Sequence, residues 1–268
     1  MKVLFVGDIE GKPGRRAAAK LLGALRSSLE IDFVIVNGEN AAGGFGITKP
    51  TARDLFDAGA DVITLGNHTF AKREAFAQLE QETRLIRPAN YPPGAPGRGW
   101  GVFSVGNIEV AVLNLMGRTF MTPIDCPFRT ADAVLPELNE RTSIVVVDMH
   151  AEATSEKVAM GWYLDGRVSA VLGTHTHIQT SDEKVLPGGT AYLTDAGMTG
   201  VHESVLGITT SMIIERFKTH VPEKLVLAEG EATLQGAVVD IDEQTGRASG
   251  IRRLSVGESD SGSLAPGG

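Results

Sequence analysis

The sequence predicts an α/β protein in which two mixed β-sheets pack face to face between helices, a four-layer αββα sandwich. Three observations carry this expectation. Short β-branched or leucine-rich runs recur along the chain (VLFV, FVIV, VIT, IVVV, AVL), with the length and composition of buried strands. Helical patterns separate most of them, which points to parallel pairing. Around Gly106-Asn107, Pro187-Gly188-Gly189 and Glu243 to Gly246, turn residues join strands directly, so parallel units are combined with hairpins.

The first strand starts at the N-terminus and runs to Asp8. Gly11 to Arg16 turns into a helix reaching about Leu29, with Pro13 in its first turn, where a missing N–H costs nothing. Phe33 to Asn37 is the second strand, followed by the loop GENAAGGFGIT. Thr48 is an N-cap, with Pro50 just inside a helix that carries Leu55 and Phe56. Val62 to Leu65 and a helix around Arg73 to Glu80 complete a βαβαβ unit. The Pro- and Gly-rich RPANYPPGAPGRG is surface loop. WGVFSV and IEVAVLNLM then form one hairpin. A helix near Ala131 to Glu140, a strand over Ile144 to Val147, a helix from Ser155 and a strand over Val168 to Leu172 follow. Short strands at 184–186 and 191–193 precede the final arms LQGAVVDID and ASGIRRLSV. No linker interrupts residues 1–257, which are expected to form one domain. Residues 258–268 offer little to pack and are expected to be a mobile tail.

Of the 268 residues 42% are apolar, and mean hydropathy is near zero, as in a soluble globular protein. The net charge of −8 and pI of about 5.3 argue against a nucleic-acid backbone binder, which works by neutralising phosphates. They leave a small anionic substrate open, because a bound metal can outweigh the global field. No apolar stretch reaches the roughly 20 residues needed to span a bilayer. No signal-peptide pattern opens the chain, and Cys126 is its single cysteine. A cytoplasmic protein with an incidental thiol is expected.

The strands end on metal-binding types of side chain. Asp8 closes the first, Glu39 and Asn40 the second, Asn67 and His68 the third, His150 follows IVVVDM, and His175 and His177 follow AVLGT. In open α/β sheets the ligand site lies beyond the carboxyl ends of the strands, so these groups converge on one rim. Taken singly, most have a plainer reading: Asp8 as a turn or N-cap residue, Asn67-His68 as a turn, His150 as a core imidazole. His175 and His177 form the sharpest pair, since side chains at i and i+2 point the same way if the chain is extended. His202 could reach the rim from its loop, and His220 reads as surface. One cysteine cannot build a thiolate zinc site. Imidazole, carboxylate and amide oxygens suit iron or manganese, with zinc less favoured, in an open catalytic centre. Two such cations about 3.5–4 Å apart would hold a bridging hydroxide and clamp a phosphoryl oxygen.

With these motifs in place, GDIEG, NGENAAGG, GNHTF, DMHAE and GTHTH, the chain resembles the calcineurin-like metallophosphoesterases. It is similar above all to their bacterial YmdB-like branch, known as cyclic-nucleotide phosphodiesterases, through GDIEGKPGR, VNGENAAGG, LGNHTF, RPANYP, GTHTHIQT and TDAGMTG. Three positions depart from the broad family: Glu10 stands for the His of Asp-x-His, Glu39 for the second Asp, and Thr69 for the acid after Gly-Asn-His. The resemblance implies that Asn40 fills the coordination place of the missing His, with Glu10 as the alternative. It also implies one metal on Asp8, Glu39, Asn40 and His177, and a second on Glu39, Asn67, His150 and His175. His68 is left as general acid for hydroxide attack on a cyclic nucleotide such as 2′,3′-cyclic AMP. A phosphomonoesterase or protein phosphatase using the same site, and a nucleotide sensor without turnover, are the alternatives. No stable nucleic-acid or membrane partner is expected, and homo-oligomerisation is left open.

Overall fold

Along the first strand, β1 (Lys2–Val6), successive side chains point to opposite faces, which divides the apolar residues between two cores. Leu4 and Val6 face a helix layer, and Val3 and Phe5 face a second sheet. The computed structural model describes residues 1–262. After β1 come β2 (Asp8–Ile9), α1 (Gly11–Ser28), β3 (Phe33–Asn37), α2 (Lys49–Asp57), β4 (Val62–Thr64), α3 (Ala75–Gln81) and β5 (Leu85–Ile86). Next follow β6 (Trp100–Val105), β7 (Ile108–Met116), α4 (Pro127–Asn139), β8 (Val145–His150), α5 (Thr154–Leu164), β9 (Ala170–Thr174), β10 (Lys184–Val185) and β11 (Ala191–Leu193). The chain then returns through β12 (Met198–Val201), α6 (Thr210–Thr219), β13 (Ala232–Ile241) and β14 (Ala248–Gly257).

The first sheet runs β2-β12-β13-β1-β3-β4-β5, with β14 paired to β13; the second runs β10-β11-β9-β8-β7-β6. β1, β3 and β4 are parallel, with Val3 beside Phe33 and Ile35 beside Val62. β7, β8 and β9 are parallel in the second sheet. The three expected hairpins are present as the antiparallel pairs β6–β7, β10–β11 and β13–β14. Both sheets are therefore mixed, as the sequence predicts.

Three apolar layers follow from this order. Leu21, Leu25 and Leu55 of α1 and α2 pack on the outer face of the first sheet. Phe33, Ile35, Val112, Val146 and Leu172 fill the space between the sheets, and Leu135, Met160 and Leu164 of α4 and α5 cover the second. Thr48 caps α2 as expected, reinforced by a reciprocal bond with the Thr51 hydroxyl. The 258–268 segment begins otherwise than predicted. Glu258–Gly262 form a 3-10 turn because the Arg16 guanidinium grips the Glu258 carboxylate at 2.7 and 2.8 Å. Residues 263–268 lie outside the described residues. Among the described residues no helix is long and apolar enough to cross a membrane.

Candidate metal centre

The parallel strands of both sheets deliver their carboxyl ends to one rim, where local hydrogen bonds set each side chain. Beyond β3 the Asn37 side-chain oxygen accepts the Glu39 N–H at 3.1 Å, turning the Glu39 carboxylate inward. The following loop is tied to α1, since the Asn40 carbonyl accepts the Gly11 N–H at 3.0 Å and the Arg15 guanidinium donates to the Ala41 carbonyl. Beyond β4, Thr69 turns its hydroxyl back to the Gly66 carbonyl at 2.7 Å. Gly66 has no alternative here: a Cβ would lie 2.2 Å from His150 Nε2 and 2.4 Å from Glu39 Oε2.

On the second sheet His150 ends β8 and is fully buried. Its Nδ1 lies 2.8 Å from Thr174 Oγ1, and its Nε2 lies 3.0 Å from Asn67 Oδ1 and 3.1 Å from Glu39 Oε1. The condition for His175 and His177 to point the same way, an extended chain, is not met. Both histidines have left-handed backbones (φ 95° and 63°), because β9 stops at Thr174 and the chain turns sharply. The two rings therefore diverge. His175 packs edge-on to His150, ring centroids 4.8 Å apart, and its Nε2 lies 3.0 Å from Glu152 Oε2. His177 Nε2 sits 3.1 Å from Asn40 Nδ2 and 3.9 Å from Asp8 Oδ1. Between them, Thr176 is held by Asp195 through N–H (3.1 Å) and hydroxyl (2.6 Å), and buried Lys157 pairs with the same carboxylate at 2.6 Å.

All eight predicted residues lie in one network. Asp8 Oδ2 accepts the His175 N–H at 3.0 Å, and Glu39 Oε2 accepts the His68 N–H at 3.1 Å. Asn67 Nδ2 lies 3.2 Å from His68 Nε2, and the half-exposed Phe45 ring meets His68 edge-on at 5.0 Å. Glu10 is buried behind Asp8; burial first, then the Asp8 and Glu39 carboxylates, raise its carboxyl well above the usual range. His202 is exposed, with Nε2 on the Met198 carbonyl, and His220 is exposed. Sequence reasoning missed Asp148, Thr174, Glu152, Lys157 and Asp195. Asp148 carried a usable signal, a lone charge inside IVVVDMH.

The donor set fits metal ions. Glu39, His150 and His175 offer ligand atoms within 4.8 Å of one another. Among the described residues six buried polar side-chain atoms lack a hydrogen-bond partner, and three of them, Asp8 Oδ1, Asn40 Oδ1 and His177 Nδ1, belong to this cluster. Buried nitrogen and oxygen atoms without a hydrogen-bond partner are costly, and a cation is a partner that would satisfy them. Burial pushes the His150 ring down, but the Glu39 carboxylate overrides it and raises the ring to about 9. Burial likewise pushes Glu39 up, and His150 with His68 brings it down to about 2. Burial raises Asp8 to about 6 against the pull of His177 and His150, and burial with His150 lowers His175 to about 3.

The family profile described as YmdB-like protein matches residues 4–254. A 2′,3′-cyclic-nucleotide 2′-phosphodiesterase of Bacillus subtilis (strain 168) is 48% identical over 258 residues, covering 96% of this chain and 98% of that protein. The crystal structure of a hypothetical protein from Thermus thermophilus superposes with a TM-score of 0.90 at 44% identity, covering 96% of this chain and 99% of that one. The calcineurin-like phosphoesterase YfkN from Bacillus subtilis shares the fold at 11% identity, with a TM-score of 0.59 over 97% of this chain and 91% of that one.

Proposed function

The chain belongs to the YmdB-like protein family, and from that membership we propose that it is a metal-dependent phosphodiesterase acting on 2′,3′-cyclic nucleotides. The observation that carries the reading is the convergence of Asp8, Glu39, Asn40, Asn67, His150, His175 and His177, three of whose buried polar atoms lack a partner among the described residues. We assign Asp8, Glu39, Asn40 and His177 to one ion and Glu39, Asn67, His150 and His175 to the other, with Glu39 shared. Ions so held would supply positive charge against the phosphoryl oxygens and would acidify water.

The protein's own residues orient and protonate. Asn67 lies between His150 and His68 and fixes their spacing. His68 protonates the departing alkoxide oxygen as the ester bond breaks. Burial lowers the pKa of its ring, so the ring releases its proton readily, and an anionic phosphodiester beside it opposes that effect and restores the charged form. The exposed face of Phe45 offers a nucleobase an apolar surface beside His68.

Elemental analysis of protein purified without chelator should give close to two transition-metal ions per chain, falling in Glu39→Gln. The metal-loaded protein should hydrolyse 2′,3′-cyclic AMP faster than any phosphomonoester. A reproducible single ion that Glu39→Gln leaves unchanged rules out the shared site. Faster hydrolysis of monoesters rules out the substrate.

A further inference from the structure

We infer that the buried Lys157–Asp195 pair is a positioning device: it pins Thr176 and so splays His175 and His177 toward two different ions. The inference rests on the assignment of those two histidines to separate ions.

Side chains at i and i+2 share a side when the chain is extended, so an unbent His-Thr-His would offer both rings to one ion. Here the rings part. His175 packs on His150, and His177 sits by Asn40 and Asp8. The backbone at both histidines is left-handed, φ 95° and 63°, which residues other than glycine adopt only where the surroundings hold them. Thr176, between them, supplies the hold. Its N–H and its hydroxyl both donate to Asp195 Oδ2, at 3.1 and 2.6 Å. Lys157 Nζ donates to the same oxygen at 2.6 Å and to Thr176 Oγ1 at 3.1 Å, closing a triangle of three side chains.

Asp195 is itself fixed. It follows β11, whose Leu193 pairs with Leu172 of β9, so it stands beside the point where β9 ends. Its Oδ1 accepts the Gly197 N–H at 2.8 Å, and its own N–H donates to Thr180 Oγ1 at 2.9 Å. Lys157 reaches it from α5 across Gly173, where a Cβ would lie 2.9 Å from Lys157 Cδ. Both charges are buried, at 1% and 0% exposure. A buried ion pair adds little stability, because desolvation offsets the attraction. Its effect here is to fix a direction, and both residues act through Thr176.

Replacing the pair by apolar side chains, Lys157→Met with Asp195→Leu, separates positioning from stability, since such exchanges often leave a fold as stable as before. The exchange frees both Thr176 donors. In metal-free protein the contact between the His175 and His150 rings should give a proton Overhauser signal in the wild type and none in the double variant. The full chain is then loaded with manganese. The wild type should take up two ions, with the paramagnetic resonance spectrum of an exchange-coupled pair. The double variant should hold one tightly, with the spectrum of an isolated ion. Thr176→Val, which drops only the hydroxyl, should weaken the second ion about 10–100-fold, and Thr176→Ser should bind like the wild type. These two decide the matter if the double variant fails to fold. A merely structural pair would change the melting temperature and leave the ring contact and the ion count alone. A ring contact that persists, two coupled ions in the double variant, or wild-type affinity in Thr176→Val overturns the proposal. A wild type that takes up fewer than two ions, with a ring contact that the double variant loses, overturns the ligand assignment instead and leaves the control of the turn standing.

Discussion

Asn67 and His68 adjoin in the chain and touch through Asn67 Nδ2 and His68 Nε2 at 3.2 Å, yet beyond that contact they part: Asn67 Oδ1 approaches His150, whereas the His68 ring meets Phe45. Those different outer partners make the proposed acid distinguishable from the proposed ligands. His68→Ala should keep both ions and lose roughly 10²–10⁴-fold in kcat on a natural alkoxide leaving group. The loss should shrink on a p-nitrophenyl ester, whose leaving group needs little protonation. Steady-state kinetics on the two substrates, with metal content measured on the same sample, decides it. Loss of an ion in this variant, or equal damage on both esters, would make His68 a ligand or a clamp. At this scale the convergence of the rim residues was legible because each follows an apolar run. Their supports were not: Asp195 and Lys157 meet from a loop and a helix 38 positions apart, and no spacing announces such a meeting.

The elements divide along the same line. The βαβαβ start, the hairpins and the Thr48 cap were readable because each is written in neighbouring residues. β12 was not, since Met198–Val201 is four residues with no alternation. Nor was α6, which buries none of its residues and so lacks the packed face that marks a helix. The insertion of β13 between β1 and β12 is a long-range choice. So is the sharp turn at His175, which depends on where β9 stops. The segment joining β4 to His68 gives the clearest element-level test. Gly66→Ala would push a methyl carbon into the space between His150 and Glu39. Metal content should fall sharply while the far-UV spectrum stays native; two ions per chain in this variant would contradict the packing.

For the whole molecule, the buried charges set how stability responds to pH. His150 is raised to about 9 from 6.5, so its contribution is complete below the lower value and is lost as pH rises through the upper one. Asp8, raised to about 6 from 3.8, acts with the same sign. Glu39, lowered to about 2 from 4.5, loses its contribution only as pH falls through that acidic range. His175, lowered to about 3 from 6.5, acts with the opposite sign up to the higher value, so the chelated protein should melt at progressively lower temperature between about pH 6.5 and 10. Added metal must displace protons, so its stabilising increment should grow over the same range. Calorimetric scans with and without metal check both slopes, and an increment that shrinks with pH would refute the assignment of protons to these groups. The position of Asp8, Glu39 and Asn67 on one sheet and His150, His175 and His177 on the other has a mechanical consequence. Ions gripped by both sets would rivet the sandwich along one edge, while at the opposite edge the Ala248 N–H already ties the first sheet to the Gly189 carbonyl of the second at 2.8 Å. Stripping them would let the two sheets breathe open like a book from the catalytic side, so the enzyme's cofactor would double as the fastener of its own architecture.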